Sequence, residues 1–157
     1  MPDQYAAVKR TLGELLSTTS ANIKASEFQR EYSWESQHVE QFWLDLRSFS
    51  ERCSGDSIQN QEYFLGAIVL VEMGSSYELL DGQQRLATAT ILLAAIRDIL
   101  SKHHYRDAAI RTQQKFIGDT DDATSVRTFS LTLNRYDRDF FRREVQEFRE
   151  ADYSPPS

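Results

Sequence analysis

Apolar and polar positions divide the chain into a short series of elements. Residues 63–71, Tyr-Phe-Leu-Gly-Ala-Ile-Val-Leu-Val, are almost continuously apolar and predict a buried strand. Tyr77-Glu78-Leu79-Leu80 predicts its hairpin partner across Met73-Gly74-Ser75-Ser76. Downstream, Leu86, Ala89, Thr90, Leu93, Ile96, Arg97 and Leu100 recur at helical spacing, so residues 83–103 are expected to form a helix buried along most of its length. Nearer the N-terminus, Val8, Leu12, Leu15 and Leu16 predict a first helix over residues 4–17, and residues 23–29 read as extended. A second helix is expected over residues 36–51, with Val39, Phe42, Trp43, Leu46 and Phe49 as its apolar face and Trp43 in the core. Residues 52–62 are polar and loop-like. Past the central helix come a helical stretch at 105–116, a mobile loop at 118–122, an amphipathic strand at 128–133 and a last helix at 138–148. Together these elements predict an α+β fold with a small mixed sheet flanked by helices.

The hairpin and the central helix meet at Asp81-Gly82-Gln83-Gln84-Arg85, a strand-to-helix turn of polar or flexible residues between two apolar segments. Such a turn offers unpaired N–H groups at the positive end of a helix dipole, and Gly82 lets the main chain approach a ligand. Arg85 adds a fork of donors suited to phosphate, and Asp81 can hold a metal ion or orient water. The same residues also admit a purely structural reading, with Asp81 as an N-cap, Gly82 as a turn residue and the glutamines as solvated helix surface.

Three ordered motifs narrow the choice. Phe28-Gln29-Arg30-x-Tyr32-x-Trp34, then Tyr63-Phe64-Leu65-Gly66, then Asp81-Gly82-Gln83-Gln84-Arg85-Leu86 resemble the N-terminal domain of GmrSD-type modification-dependent restriction endonucleases. The similarity runs from about residue 12 to 100 and more loosely through 141. It implies a ParB/sulfiredoxin-like fold and a domain that binds and hydrolyses a nucleoside triphosphate with Mg²⁺. It also implies an HNH-type nuclease, in a further domain or a partner subunit, that cuts modified phage DNA. Ser26 departs from the family pattern, where proline is common, and leaves the approach to Gln29 and Arg30 less rigid.

Composition bounds the rest. A chain of 157 residues, 40% hydrophobic and 11% aromatic, is expected to form one globular domain over residues 1–150, with residues 151–157 and their Pro155-Pro156 as a linker or chain end. Eighteen basic against 24 acidic residues give a net charge of −6, which is unlike a protein that holds DNA chiefly by neutralising phosphates, so any DNA contact must be local. The apolar runs fall short of a membrane span and the N-terminus lacks a signal-peptide core, which points to the cytoplasm. Cys53 is the single cysteine and excludes an internal disulfide; no role is expected for it. There is no Gly-x-x-x-x-Gly-Lys-[Ser/Thr] loop and no Gly-x-Gly-x-x-Gly fingerprint, so a phosphate cradle must be built differently. His38, His103 and His104 are too few and badly spaced for a zinc site or an HNH nuclease, and the adjacent pair suits the negative end of a helix dipole.

Gln29 and Arg30 are expected to approach the 81–85 turn, because both segments lie at element ends beside one hairpin. In the resulting site Arg85 and Arg30 bind phosphates, Gly82 and the N–H groups of Gln83 and Gln84 complete an anion nest, and Asp81 engages Mg²⁺ or the attacking water. Tyr32 and Trp34 either stack on a nucleobase or anchor their loop against the core. Residues 135–143, Arg-Tyr-Asp-Arg-Asp-Phe-Phe-Arg-Arg, either touch nucleic acid or form a solvated helix start carrying core aromatics. Two functional classes follow: an NTPase domain whose turnover gates a nuclease, or a ParB-like module that senses nucleotide or modified DNA without turnover. Sulfiredoxin-like reduction is disfavoured, since no cysteine occupies the 81–85 turn.

Overall fold

Leu79 lies on an inner strand of the sheet and is fully buried. The computed structural model describes residues 6–19, 22–53, 61–120 and 124–148. Strand β1 is Ile23–Ala25, β2 is Val69–Met73, β3 is Ser76–Asp81 and β6 is Leu131–Thr132, and they form one sheet in the order β2-β3-β1-β6. β2 and β3 are antiparallel, whereas β1 runs parallel to both β3 and β6, so the sheet is mixed. β4 (Gly118–Thr120) and β5 (Arg127–Phe129) make a separate antiparallel pair. The helices are α1 (Leu12–Leu15), α2 (Ser36–Arg52), α3 (Gln83–Lys102), α4 (Arg106–Thr112) and α5 (Arg138–Phe141). α4 continues through a π-helical turn at Gln113–Ile117, and α5 through another at Arg142–Gln146. The expected α+β architecture is therefore the one observed.

Ile23, Leu79 and Leu131 come from three adjacent strands, and with Leu16, Leu86, Ala87, Leu133 and Phe141 they form the buried core. Each of the Leu, Ile and Phe side chains contributes roughly 1.5–3 kcal/mol on burial. The hairpin turns through Gly74 and Ser75, with Met73 opposite Ser76 and Gly74 at φ +67°. Glycine with positive φ at the first loop position matches the twist of the flanking strands. Val69 lies opposite Asp81 but Leu70 lies opposite Leu79, so Leu80 is an extra, unpaired residue. This bulge bends β3 just before it delivers Asp81 and Gly82 to the start of α3.

α3 is rich in alanine and leucine, contains no proline, and buries Leu86, Ala87, Ala89, Thr90, Ala94 and Arg97. Arg97, 2% exposed, donates from Nε to Asp98 and from Nη1 to Gln113 and the Val145 carbonyl, with the Phe148 ring 5.1 Å away. Gln113 in turn donates to the carbonyls of Gly118 and Gln146. A buried guanidinium is tolerated because its N–H groups are met in this way, and the network ties α3 to the C-terminal helical segment. His103 follows α3 as its C-cap and His104 takes φ +66°, so the histidine pair does lie at a helix end.

Several expectations are corrected. The first helix is one turn, opened by Thr11 in a capping box with Glu14, and residues 6–10 are not helical; residues 4 and 5 lie outside the described residues. Only residues 69–71 of the expected buried strand 63–71 are in β2, and β2 is an edge strand in which only Leu70 is half-buried; Gly66 at φ +118° turns the preceding segment out of extended geometry. β1 ends at Ala25, short of residue 29. Residues 118–120 are strand rather than mobile loop, because their main chain pairs with β5; residues 121 and 122 lie outside the described residues. The single strand expected at 128–133 is split at Ser130, whose hydroxyl donates to the Phe116 carbonyl, and its two halves join different sheets. Trp43 is half exposed, not core, and Ile96 is also exposed. Residues 151–157 lie outside the described residues.

Candidate functional site

The three sequence motifs meet at the first turn of α3. Gly82 is its N-cap, in the left-handed region at φ +96°, and no side chain caps the helix. The space a β-carbon on Gly82 would need is filled by Ile68, with the Ala67 carbonyl 3.4 Å away. Glycine is therefore required here by backbone conformation and by the approach of this chain's own 66–68 segment. The same segment meets Arg85: a β-carbon on Gly66 would overlap Nη1 of Arg85 and lie 3.1 Å from Cζ. Arg85 Nη2 is 3.8 Å from Asp81 Oδ2, and the two side chains are 27% and 68% exposed. An acid and a base thus stand side by side at an uncapped helix N-terminus.

The opposite side of the turn holds residues 29–33. Gln83 donates to the Arg30 carbonyl at 3.3 Å. Gln84 makes a two-way bond with the loop, donating to the Glu31 carbonyl at 3.2 Å and accepting from the Ser33 N–H at 2.9 Å. Gln29 donates at 2.7 Å to each of the Leu79 and Leu80 carbonyls, at the bulge of β3. Gln83 is buried and Gln84 half-buried, so neither is solvated helix surface. Asp81 is not an N-cap, but Gly82 is the turn residue that reading required. The amide oxygens of Gln29 and Gln83 are buried with no partner in the protein. Each keeps its orientation because reversal would set oxygen against a carbonyl.

Asn134, which sequence reasoning did not single out, and Asp137, from the 135–143 cluster, hold this loop from behind. Asn134, fully buried, donates to the Gln29 and Arg30 carbonyls at 3.0 and 2.9 Å and accepts from the N–H groups of Tyr136 and Asp137. Asp137 accepts from the Tyr32 N–H at 2.6 Å. Asn134 lies two residues beyond β6, and nothing in one sequence separates such an asparagine from an ordinary turn residue. Tyr32 packs against the core, and its hydroxyl lies 2.8 Å from that of Thr88, the anchoring arrangement. Trp34 lies against His38 and Phe42, with ring centroids 6.1 and 6.0 Å away.

The main chain of Arg30 reaches the turn as expected, and its side chain is exposed. With Phe28, Gln29, Glu31, Ser33 and Tyr136 it lines an open pocket of about 460 Å³ to which Arg85 does not contribute. A cleft of about 510 Å³ lined by Gln113, Asp119, Arg127, Phe129 and Gln146 among others shares no residue with the motif corner. In the 135–143 cluster, Arg138 pairs with Glu27, Arg142 approaches Phe129 and Glu147, and Phe141 is buried, while Arg135 stacks 4.7 Å from Tyr136. Hydrogen bonding to Tyr136 raises the Arg135 pKa. Cys53 is buried and donates to Gln61. Among the described residues no three His, Cys, Asp or Glu side chains cluster as a metal site, and no helix is long and apolar enough to cross a membrane.

Fold and site together define an α+β domain that presents an uncapped helix N-terminus beside an acid–base pair. The profile of the GmrSD restriction endonuclease N-terminal domain matches residues 12–156, and the chain belongs to that family. No curated protein matches it significantly.

Proposed function

We propose that the corner between the hairpin and α3 binds the phosphates of a nucleoside triphosphate and hydrolyses it, as the regulatory domain of a restriction system acting on modified phage DNA. The observation that carries this reading is the uncapped first turn of α3 with Arg85 and Asp81 beside it. A helix N-terminus attracts anions through free N–H groups and its dipole, and an adjacent guanidinium adds charge-assisted bonds. Gly82, Gln83 and Gln84 supply main-chain N–H groups, Arg85 the nearest cation and Arg30 a second one at the loop. Gln29, Tyr32 and Trp34 keep the loop in place.

Asp81 suits Mg²⁺, because that ion is commonly held by one or two carboxylates plus substrate phosphates, and this carboxylate is largely exposed beside the anion corner. When bound, the ion would offset phosphate charge. Asp81 would hold it or orient the attacking water. Cutting of DNA is assigned to an HNH-type nuclease domain or subunit outside this chain. The test is phosphate release from each of the four triphosphates with Mg²⁺, repeated with Asp81→Ala. Release lost in the variant supports hydrolysis at this corner; release unaffected by the change removes Asp81 from the reaction.

A second reading, a non-hydrolysing sensor of nucleotide or modified DNA, is favoured by one observation. Gln83 and Gln84 connect the anion corner to the main chain of residues 30–33, so a ligand at one displaces or tightens the other. Saturable binding without phosphate release would select it.

A further inference from the structure

Helix α2 is poorly covered for its length. Of its 17 residues only Phe42 is buried, while Trp43 is 50%, Leu44 44% and Val39 37% exposed. Its inward side is fixed by Phe42 against Trp34 and Phe49 against Tyr63. At about 100° per residue, Glu40, Trp43, Leu44 and Arg47 share the outward side, and all four are exposed. The order of these groups is self-complementary under reversal: an acid stands three residues before the apolar pair and a base three residues after it.

We infer that this face is a self-association surface, occupied by α2 of a second copy of the chain, antiparallel about a two-fold axis between Trp43 and Leu44. A two-fold interface requires a patch complementary to itself. In this register Trp43 meets Leu44 of the second copy and Glu40 faces Arg47 of the second copy, each contact occurring twice. A parallel pairing would set Glu40 against Glu40 and Arg47 against Arg47. Glu51 already accepts from Arg47 Nε at 2.8 Å, which uses one of the five guanidinium donors and leaves capacity for a second carboxylate. One helix face is smaller than the roughly 800 Å² per partner of a standard interface, so association is weak, with a dissociation constant on the order of micromolar or above.

Sedimentation equilibrium of the full chain across a wide concentration range tests this. The wild type is expected to show a reversible monomer–dimer equilibrium. Arg47→Glu and Glu40→Arg each set like charges together at both ends and should weaken it at least tenfold. The double variant Glu40→Arg/Arg47→Glu should restore the wild-type constant. Leu44→Asp, at a second exposed position, should abolish dimerisation with unchanged circular dichroism. A monomer at every concentration, a dimer indifferent to the single changes or to Leu44→Asp, or single losses that the double variant fails to rescue would each overturn the inference.

Discussion

Arg85 occupies the space that a side chain at residue 66 would need, so the Tyr-Phe-Leu-Gly motif and the Asp-Gly-Gln-Gln-Arg motif are joined by direct packing. Gly66→Ala would place an L-residue at φ +118°, a strain of roughly 1–3 kcal/mol, and push the mobile end of Arg85 aside. Denaturant unfolding should show that loss. It should persist in an Arg85→Ala background, because the strain lies in the backbone; a loss that disappears there would place the whole effect in the side-chain clash.

Gly82 carries two constraints that can be separated. Gly82→Ala meets both an unfavourable φ of +96° and the Ile68 side chain. The expected cost is roughly 1–3 kcal/mol of strain with a comparable overpacking penalty. Ile68→Ala should recover only the packing part in the double variant, measured against each single change. Full additivity of the two changes would show that Ile68 does not press on residue 82.

Asn134→Ala removes the donors for two loop carbonyls and the acceptor for two N–H groups at a fully buried position. Stability should fall by roughly 1–3 kcal/mol. Hydrogen exchange of the Tyr32 and Ser33 amides should accelerate more than exchange within α3. Uniform acceleration would mean that the loop is not held locally by Asn134.

The central helix was legible because its apolar period is strong: residues 83–103 were expected and Gln83–Lys102 is observed, with Arg97 correctly on the inward side. The hairpin was legible through Gly74 and Ser75. Residues 63–68 were not, because Gly66 bends the run around the start of α3 and leaves Phe64 exposed, so apolar content fixed neither conformation nor burial here. Trp43 failed for a related reason. Periodicity identifies an apolar face but not what covers it, and nothing in the described residues covers this one fully.

At the site, the sequence placed Gln29 and Arg30 beside the 81–85 turn, and the Gln29 side chain and the Arg30 main chain are there. It did not reveal that the glutamine side chains bond main-chain groups, since a glutamine facing solvent and one bridging to a carbonyl are the same letter. Nor did it reveal that Asn134 and Asp137, more than a hundred positions away, hold this loop. The 135–143 cluster divides accordingly, with Asp137, Arg138 and Phe141 committed to the fold and Arg135 and Tyr136 left exposed.

Calorimetric titration of triphosphates with Mg²⁺ into the wild type and Arg85→Ala tests the central claim most directly. A charge-assisted contact is worth roughly 1.5–3 kcal/mol, so affinity should fall by about tenfold or more in the variant, with the fold retained by circular dichroism. Equal affinity in the two proteins would contradict phosphate binding at this corner.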